Sequence, residues 1–243
     1  MIYFVSGIDT DAGKSYATAY LAREWNKKGI KTITQKFIQT GNIGRSEDIE
    51  LHRKIMGCGP LPEDSIPTSS IYVAGNSTEP STQTLKTENY RVEEPYSTLT
   101  APEVFSYPAS PLLASAIDKR PIDFAKIEAA TAELDRRYER VLVEGAGGLM
   151  VPLTNTTPRV TIDYIAAKKY PLVFVSSGKL GSVNHTLLSL EAIKNRGIEL
   201  THFCYNLYPQ PQDTTIQQDT KQYLKDFIAS HFSEALFIEI PIL

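Results

Sequence analysis

The opening of the chain constrains it most. Five strand-prone residues at positions 2–6 run directly into GIDTDAGKS at 7–15, and an amphipathic stretch follows at once. Glycines let a backbone curl so that successive N–H groups point inward, and a helix starting at that curl adds the positive end of its dipole. Strand, glycine turn and helix start therefore make an anion cradle. Lys14 is placed to reach terminal phosphates, and the Ser15 hydroxyl to ligate magnesium. The spacing misses the strict G-x-x-x-x-G-K-[ST] pattern by one position, with Ile8 where the first glycine belongs. The flanking strand and helix, more than the pattern, carry the expectation of a phosphate.

Beyond this turn, Ala17, Tyr20, Leu21 and Trp25 recur at helical spacing, with Gly29 placed as a cap. IKTITQKF at 30–37 reads as a second strand, completing a βαβ unit, and 46–57 as a capped helix. Ile127, Ala130, Leu134 and Tyr138 form one helical face leading into the apolar run Val141, Leu142, Val143. Strands at 171–177 and 201–206 alternate with helices carrying Leu187, Leu188 and Ile193, then Ile216, Tyr223, Leu224, Phe227 and Ile228; ALFIEIPIL reads as a final strand. The expected fold is α/β, one domain over residues 1–243, with a doubly wound, mainly parallel sheet and helices on both faces, like that of P-loop NTPases. Residues 61–100 lack apolar periodicity and read as an irregular insertion or lid, and 104–111 as a proline-punctuated edge or loop.

Composition narrows the partners. With a net charge of -3, 42% hydrophobic and 22% charged residues, nothing draws the chain to nucleic acid or to an anionic membrane. The first apolar run is too short for a leader, and no later one approaches a membrane span. Cys58 and Cys204 show no metal or redox spacing, which points to a reduced, cytoplasmic protein. Small-molecule chemistry is favoured.

Ligands of open α/β sheets bind beyond the carboxyl ends of the strands. There the sequence offers Lys36 and Thr40, Asp48 in the next helix, Glu144 opening the glycine-rich EGAGG, the segment GKLGSVNH at 178–185, and Asn206. Magnesium takes one or two carboxylates plus phosphate oxygens, a role suited to Asp48 and Glu144. Lys14 and Lys36, expected to face solvent in the site, would neutralise a transferring phosphoryl group. Gly181, Ser182 and Val183 begin a helix and offer a second anion site suited to a carboxylate, while His185 is expected to pack or cap.

In this order and near these spacings, GIDTDAGKS, QKFIQTG, EDIEL, VEGAGGLMVPL, KLGSVNH and YNLYP resemble the dethiobiotin synthetase family, over most of the chain outside 61–100. The resemblance implies an ATP- and Mg2+-dependent enzyme acting on diaminononanoate and CO2, as a homodimer with its active site at the subunit interface. It implies that Thr10, Asp11, Ala12, Gly13, Lys14, Ser15 and Tyr16 surround the nucleotide together with Glu144 and Gly147, and that Asn206 reads the adenine. Ser15, Asp48 and Glu144 would hold magnesium; Lys36, Lys14 and Thr10 would be catalytic. Thr40 and Ser110 would contact the diamine, and Gly181, Ser182, Val183, Asn184 and Tyr223 the substrate carboxylate. Phe37 stands where the family usually has proline.

A switch ATPase of the partition or cell-division type shares the expected sheet and a deviant phosphate turn. Such proteins carry a second lysine early in the turn, where this chain has Ile8 and Asp9.

Overall fold

A computed structural model of the chain describes residues 1–72, 97–208 and 214–242. The first strand, β1 (Ile2–Gly7), lies inside a six-stranded sheet between β5 (Arg140–Gly148) and β6 (Leu172–Ser177). β2 (Thr32–Lys36) pairs outside β5, and β7 (Leu200–Asn206) and then β8 (Leu236–Ile240) continue beyond β6, every pair being parallel. Strands buried on both faces read as unbroken apolar runs, which is why 141–143 and 171–177 were visible in the sequence.

Side-chain alternation builds two cores from one sheet. Tyr3, Val5, Leu142, Val173 and Val175 point to the face covered by Ala17, Leu21 and Trp25 of α1 (Lys14–Lys27). Phe4, Val143 and Phe174 point to the opposite face, where they meet α5 (Phe124–Arg137), α6 (Thr161–Lys168), α7 (Ser182–Asn195) and α8 (Thr214–His231). The doubly wound architecture is therefore as expected. Phe37, in place of a proline, fills this second core, its ring 5.3 Å from that of Phe4 and 4.7 Å from that of Tyr164.

Three local features go beyond the sequence reading. Of the edge or loop expected at 104–111, residues 104–105 are an edge strand, β4 (Val104–Phe105), which pairs in parallel with β3 (Gln39–Thr40), and a helix, α4 (Pro111–Ile117), starts at the last proline of that segment. The helix α6 was not expected at all, because eight residues are too few to show a period. The described parts of the supposed lid, 61–72 and 97–100, are packed on the body: Leu99 and Thr100 are fully buried, and the Lys36 amide donates to the Thr100 carbonyl at 2.7 Å. That contact caps the open edge of β2. The rest of the proposed insertion, 73–96, lies outside the described residues. α2 (Glu47–Met56) precedes this segment, and the short α3 (Ser69–Tyr72) closes its first described part. No helix among the described residues is long and apolar enough to cross a membrane.

Candidate active site

The segment after β1 keeps its shape through its own backbone. The Ile8 amide donates to the Val175 carbonyl at 3.0 Å, Asp9 Oδ1 accepts from the Thr10 amide at 2.7 Å, and Thr10–Ala12 forms a 3-10 turn. Gly13, at φ +90°, redirects the chain into α1. A Cβ there would lie 2.1 Å from Asn206 Nδ2, so the position requires glycine twice, for its dihedral and for the close approach. Gly147 brings the turn after Glu144 against the same loop: its φ is +63°, and a Cβ would come 2.6 Å from Val151 Cγ2 and 3.7 Å from Thr10 Oγ1.

Lys14 folds back over the loop, its ammonium donating to the carbonyls of Asp9 at 2.6 Å and Thr10 at 3.1 Å. Burial and the neighbouring Lys36 lower its pKa to about 8, against the opposing pull of Glu144, Asp48 and Asp9. Carbonyl dipoles are weak partners for a buried cation, so a phosphate offers this ammonium a better one.

Register and pleat build the cluster beside it. Lys36 is directly opposite Glu144 in the β2–β5 ladder, and both point to the α1–α2 face, as Thr34 and Leu142 do two residues earlier. Asp48 arrives from the first turn of α2, whose start is fixed by Ser46 accepting from the Ile49 amide. Lys36 Nζ lies 2.6 Å from Asp48 Oδ2 and 2.7 Å from Glu144 Oε1. Ser15 Oγ lies 2.9 Å from Asp48 Oδ1 and 2.8 Å from Glu144 Oε1.

The two lysines are not solvent-facing, as the sequence had suggested: Lys14 is 4% exposed and Lys36 5%. Lys36 is kept as a cation by partners distant in sequence, Asp48 and Glu144. Burial pulls Lys36 down, but the charges of Glu144 and Asp48 outweigh it and hold the ammonium above the usual lysine range. Burial likewise pushes Glu144 up, yet the Lys36 charge and the His52 hydrogen bond hold it below the usual carboxylate range. Among the described residues no three His, Cys, Asp or Glu side chains form a metal-holding group. Two carboxylates converging on a hydroxyl do fit magnesium, which retains water and phosphate oxygens as its other ligands.

The remaining candidates lie around this centre. Asn206 is buried and ties the phosphate loop to β7, donating to the carbonyls of Ala12 at 3.1 Å and Tyr208 at 3.0 Å. Tyr16 stacks on Tyr208 at 6.1 Å, and Thr10 and Asp11 are exposed. Half-buried Thr40 and Ser110 share a neighbourhood, since β3 pairs with β4 and a Cβ on Gly41 would touch Pro108. At the start of α7 the Ser182 amide is taken by the Lys179 carbonyl, leaving the amides of Val183 and Asn184 as the open end. His185 neither packs nor caps: it is exposed, on the rim of a cavity of about 160 Å³ shared with Asp9, Asp11 and Lys179. Tyr223, on α8, is 49% exposed and stacks on Phe227. No side-chain hydrogen bond or ion pair joins Thr40, Ser110 or Tyr223 to the lysine–carboxylate cluster among the described residues.

One buried member of the cluster escaped the sequence. His52 is fully buried, and its Nε2 lies 2.6 Å from Glu144 Oε2. The available signal was its spacing, four residues after Asp48 on one helix face.

A family model described as an AAA domain matches residues 2–242. An ATP-dependent dethiobiotin synthetase BioD 2 of Pasteurella multocida (strain Pm70) is 38% identical over 236 residues, covering 97% of this chain and 95% of that protein. Its namesake from Haemophilus influenzae is 43% identical over 209 residues, 86% of this chain and 92% of that one. Among solved structures, a plasmid partition protein of Borrelia burgdorferi B31 bound to AMPPNP gives a TM-score of 0.50 over 98% of this chain and 84% of that one. At 10% identity this likeness is one of fold alone.

Proposed function

Because the chain belongs to the dethiobiotin synthetase family, we propose that it carboxylates 7,8-diaminononanoate (7,8-diaminopelargonate) and closes the ureido ring at the expense of ATP, as a cyclo-ligase. One amine of the substrate adds to CO2, losing a proton and giving a carbamate. The carbamate oxygen takes the γ-phosphoryl group, and ADP leaves. The second amine attacks the carbonyl carbon of the resulting carbamic–phosphoric anhydride, forming the second C–N bond and expelling phosphate.

The observation that carries this reading is the Lys36–Asp48–Glu144–Ser15 cluster beside the phosphate loop. A carbamate and a triphosphate repel one another, and bringing them into reaction requires positive charge held ready between them. Lys36, fixed by two carboxylates, supplies that charge on the carbamate side, and Lys14 exchanges loop carbonyls for phosphate oxygens. Ser15, Asp48 and Glu144 would hold magnesium, which when bound neutralises developing phosphate charge. The loop backbone from Thr10 to Tyr16, with Gly147 behind it, encloses the nucleotide, and Asn206 lies on the side given to the adenine. Thr40 and Ser110 contact the diamine end.

The open amides of Val183 and Asn184 suit the substrate carboxylate, with Gly181, Ser182 and Tyr223 around it. We assign this end to a homodimer interface, because Leu113, Met150 and Leu180 are large apolar residues left exposed. The compartment is the cytoplasm, in keeping with free Cys58 and Cys204.

An ADP-release assay with ATP, Mg2+ and bicarbonate, run with and without diaminononanoate, tests the reading. ADP release is expected to require the diamine. Equal hydrolysis without it would reject the synthetase and favour a nucleotide switch.

A further inference from the structure

Glu144 presents its two oxygens to different worlds. Oε1 meets Lys36 Nζ and Ser15 Oγ, whereas among the described residues Oε2 is hydrogen-bonded to His52 Nε2 alone, at 2.6 Å. The imidazole is itself anchored: its Nδ1 lies 3.0 Å from Thr34 Oγ1, which accepts from Arg53 Nη1 at 2.8 Å. Arg53 is clamped in turn to Asp64 by bonds of 2.9 and 2.7 Å.

In a neutral ring these contacts set the direction of each hydrogen. A carboxylate only accepts, so Nε2 carries a hydrogen and donates it to Oε2. Thr34 Oγ1 receives a hydrogen from Arg53 and has one to give, which Nδ1 accepts. Every polar atom in the line from Arg53 through Thr34 and His52 to Glu144 is then satisfied, the condition under which a buried polar network rigidifies its surroundings.

We infer that His52 is a positioning residue for the divalent ion: by holding Oε2 it stops the Glu144 carboxylate from turning and commits Oε1 to the face shared by Ser15 and Asp48. The inference rests on the magnesium site proposed above. It gives a function to an imidazole whose hydrogen bonds, among the described residues, go to neither the phosphate loop nor Lys36. Hydrogen-bond partners that orient a ligating carboxylate are worth a large share of metal affinity.

Asparagine and glutamine separate the two contacts, since the Asn amide can set its accepting oxygen near the place of ring Nδ1 and the Gln amide its donating nitrogen near that of Nε2. His52→Asn keeps the Thr34 side and bares Glu144; His52→Gln does the reverse. The probe is Mn2+ with AMPPNP, free Mn2+ being read by EPR on the full chain. His52→Asn is expected to bind Mn2+ roughly 10- to 100-fold more weakly than the unsubstituted protein, and His52→Gln to recover to within about threefold of it. A merely structural histidine predicts lowered melting temperatures for both variants with Mn2+ affinity unmoved.

A folded His52→Asn with unchanged Mn2+ affinity overturns the inference. Should that variant fail to fold, Thr34→Val carries the test: freeing the ring from its second anchor is expected to weaken Mn2+ about threefold, and no change overturns the inference. Glu144→Gln separates the two levels of failure. If Mn2+ binding does not depend on Glu144, the magnesium reading falls and this inference with it; if Glu144→Gln loses Mn2+ and His52→Asn does not, only the role of His52 falls.

Discussion

The two ends of the parallel sheet treat buried charge in opposite ways. At the carboxyl ends, Lys36 is held as an ammonium and Glu144 as a carboxylate, with Lys36 within hydrogen-bond reach of both Glu144 and Asp48. At the amino ends, polar groups are lodged among rings: the Arg140 guanidinium lies 4.3 Å from the centre of the Trp25 ring, and His202 sits 5.5 Å from Trp25 and 5.8 Å from Tyr3. Burial, helped by the charge of Arg140, pulls the His202 pKa down to about 4, so this imidazole gives up its charge. Taking an ion out of water costs several kcal/mol unless it is paired. The carboxyl ends keep buried ions in paired form, as the proposed phosphoryl-transfer site requires, whereas the buried imidazole at the amino ends is neutral beside the partly exposed Arg140.

The largest test of the contrast is Lys36→Met, which keeps volume and removes the cation. Turnover should fall by roughly 10³-fold, the scale for loss of a preorganised electrostatic partner. Stability without magnesium should fall by about 3 to 5 kcal/mol, because the buried Glu144 carboxylate is left without its cation beside the partly exposed Asp48, and added magnesium should restore part of it. ADP release and thermal melts with and without Mg2+ measure both. Turnover within threefold of the unsubstituted protein would mean that the charge kept at the carboxyl ends has no part in the reaction.

What could be read in the sequence follows the same division. The phosphate loop was legible because its parts lie within nine consecutive residues, 7–15, and because Gly13 and Lys14 have few alternative uses there. The lysine–carboxylate cluster was legible as a set of strand-end residues, but its burial was not. That depends on the register placing Lys36 opposite Glu144 and on α2 delivering both Asp48 and His52. Short elements such as α4 and α6 lack the turns needed to show a period. The 97–100 end of the 61–100 segment meets β2 through the Thr100 carbonyl, a backbone contact that leaves no pattern in side chains.

A middle-sized effect tests the amino ends. The folded pKa of His202 is depressed to about 4 from 6.5, so below pH 6.5 the unfolded chain takes up a proton that the folded one refuses. Stability present above pH 6.5 is therefore lost as pH falls towards 4. Between pH 7 and 5 this linkage amounts to about 2 kcal/mol. Urea unfolding at the two pH values should show that loss, and His202→Phe should remove most of the share due to this ring. An unchanged pH dependence in the variant would mean that the imbalance between the two ends has been overstated.

The smallest effect separates the two causes acting on His202. Arg140→Met removes the cation over Trp25, worth about 0.5 to 1 kcal/mol at a partly exposed site, while methionine keeps much of the covering stem. It also removes the like charge that assists burial in keeping His202 neutral, so the midpoint of the His202 ring signals in an NMR titration should move up from about 4. Since burial is the larger cause, that midpoint should still fall short of 6.5. A midpoint that does not move assigns the effect to burial alone. One that reaches 6.5 shows the amino ends to be governed, like the carboxyl ends, by charge acting on charge.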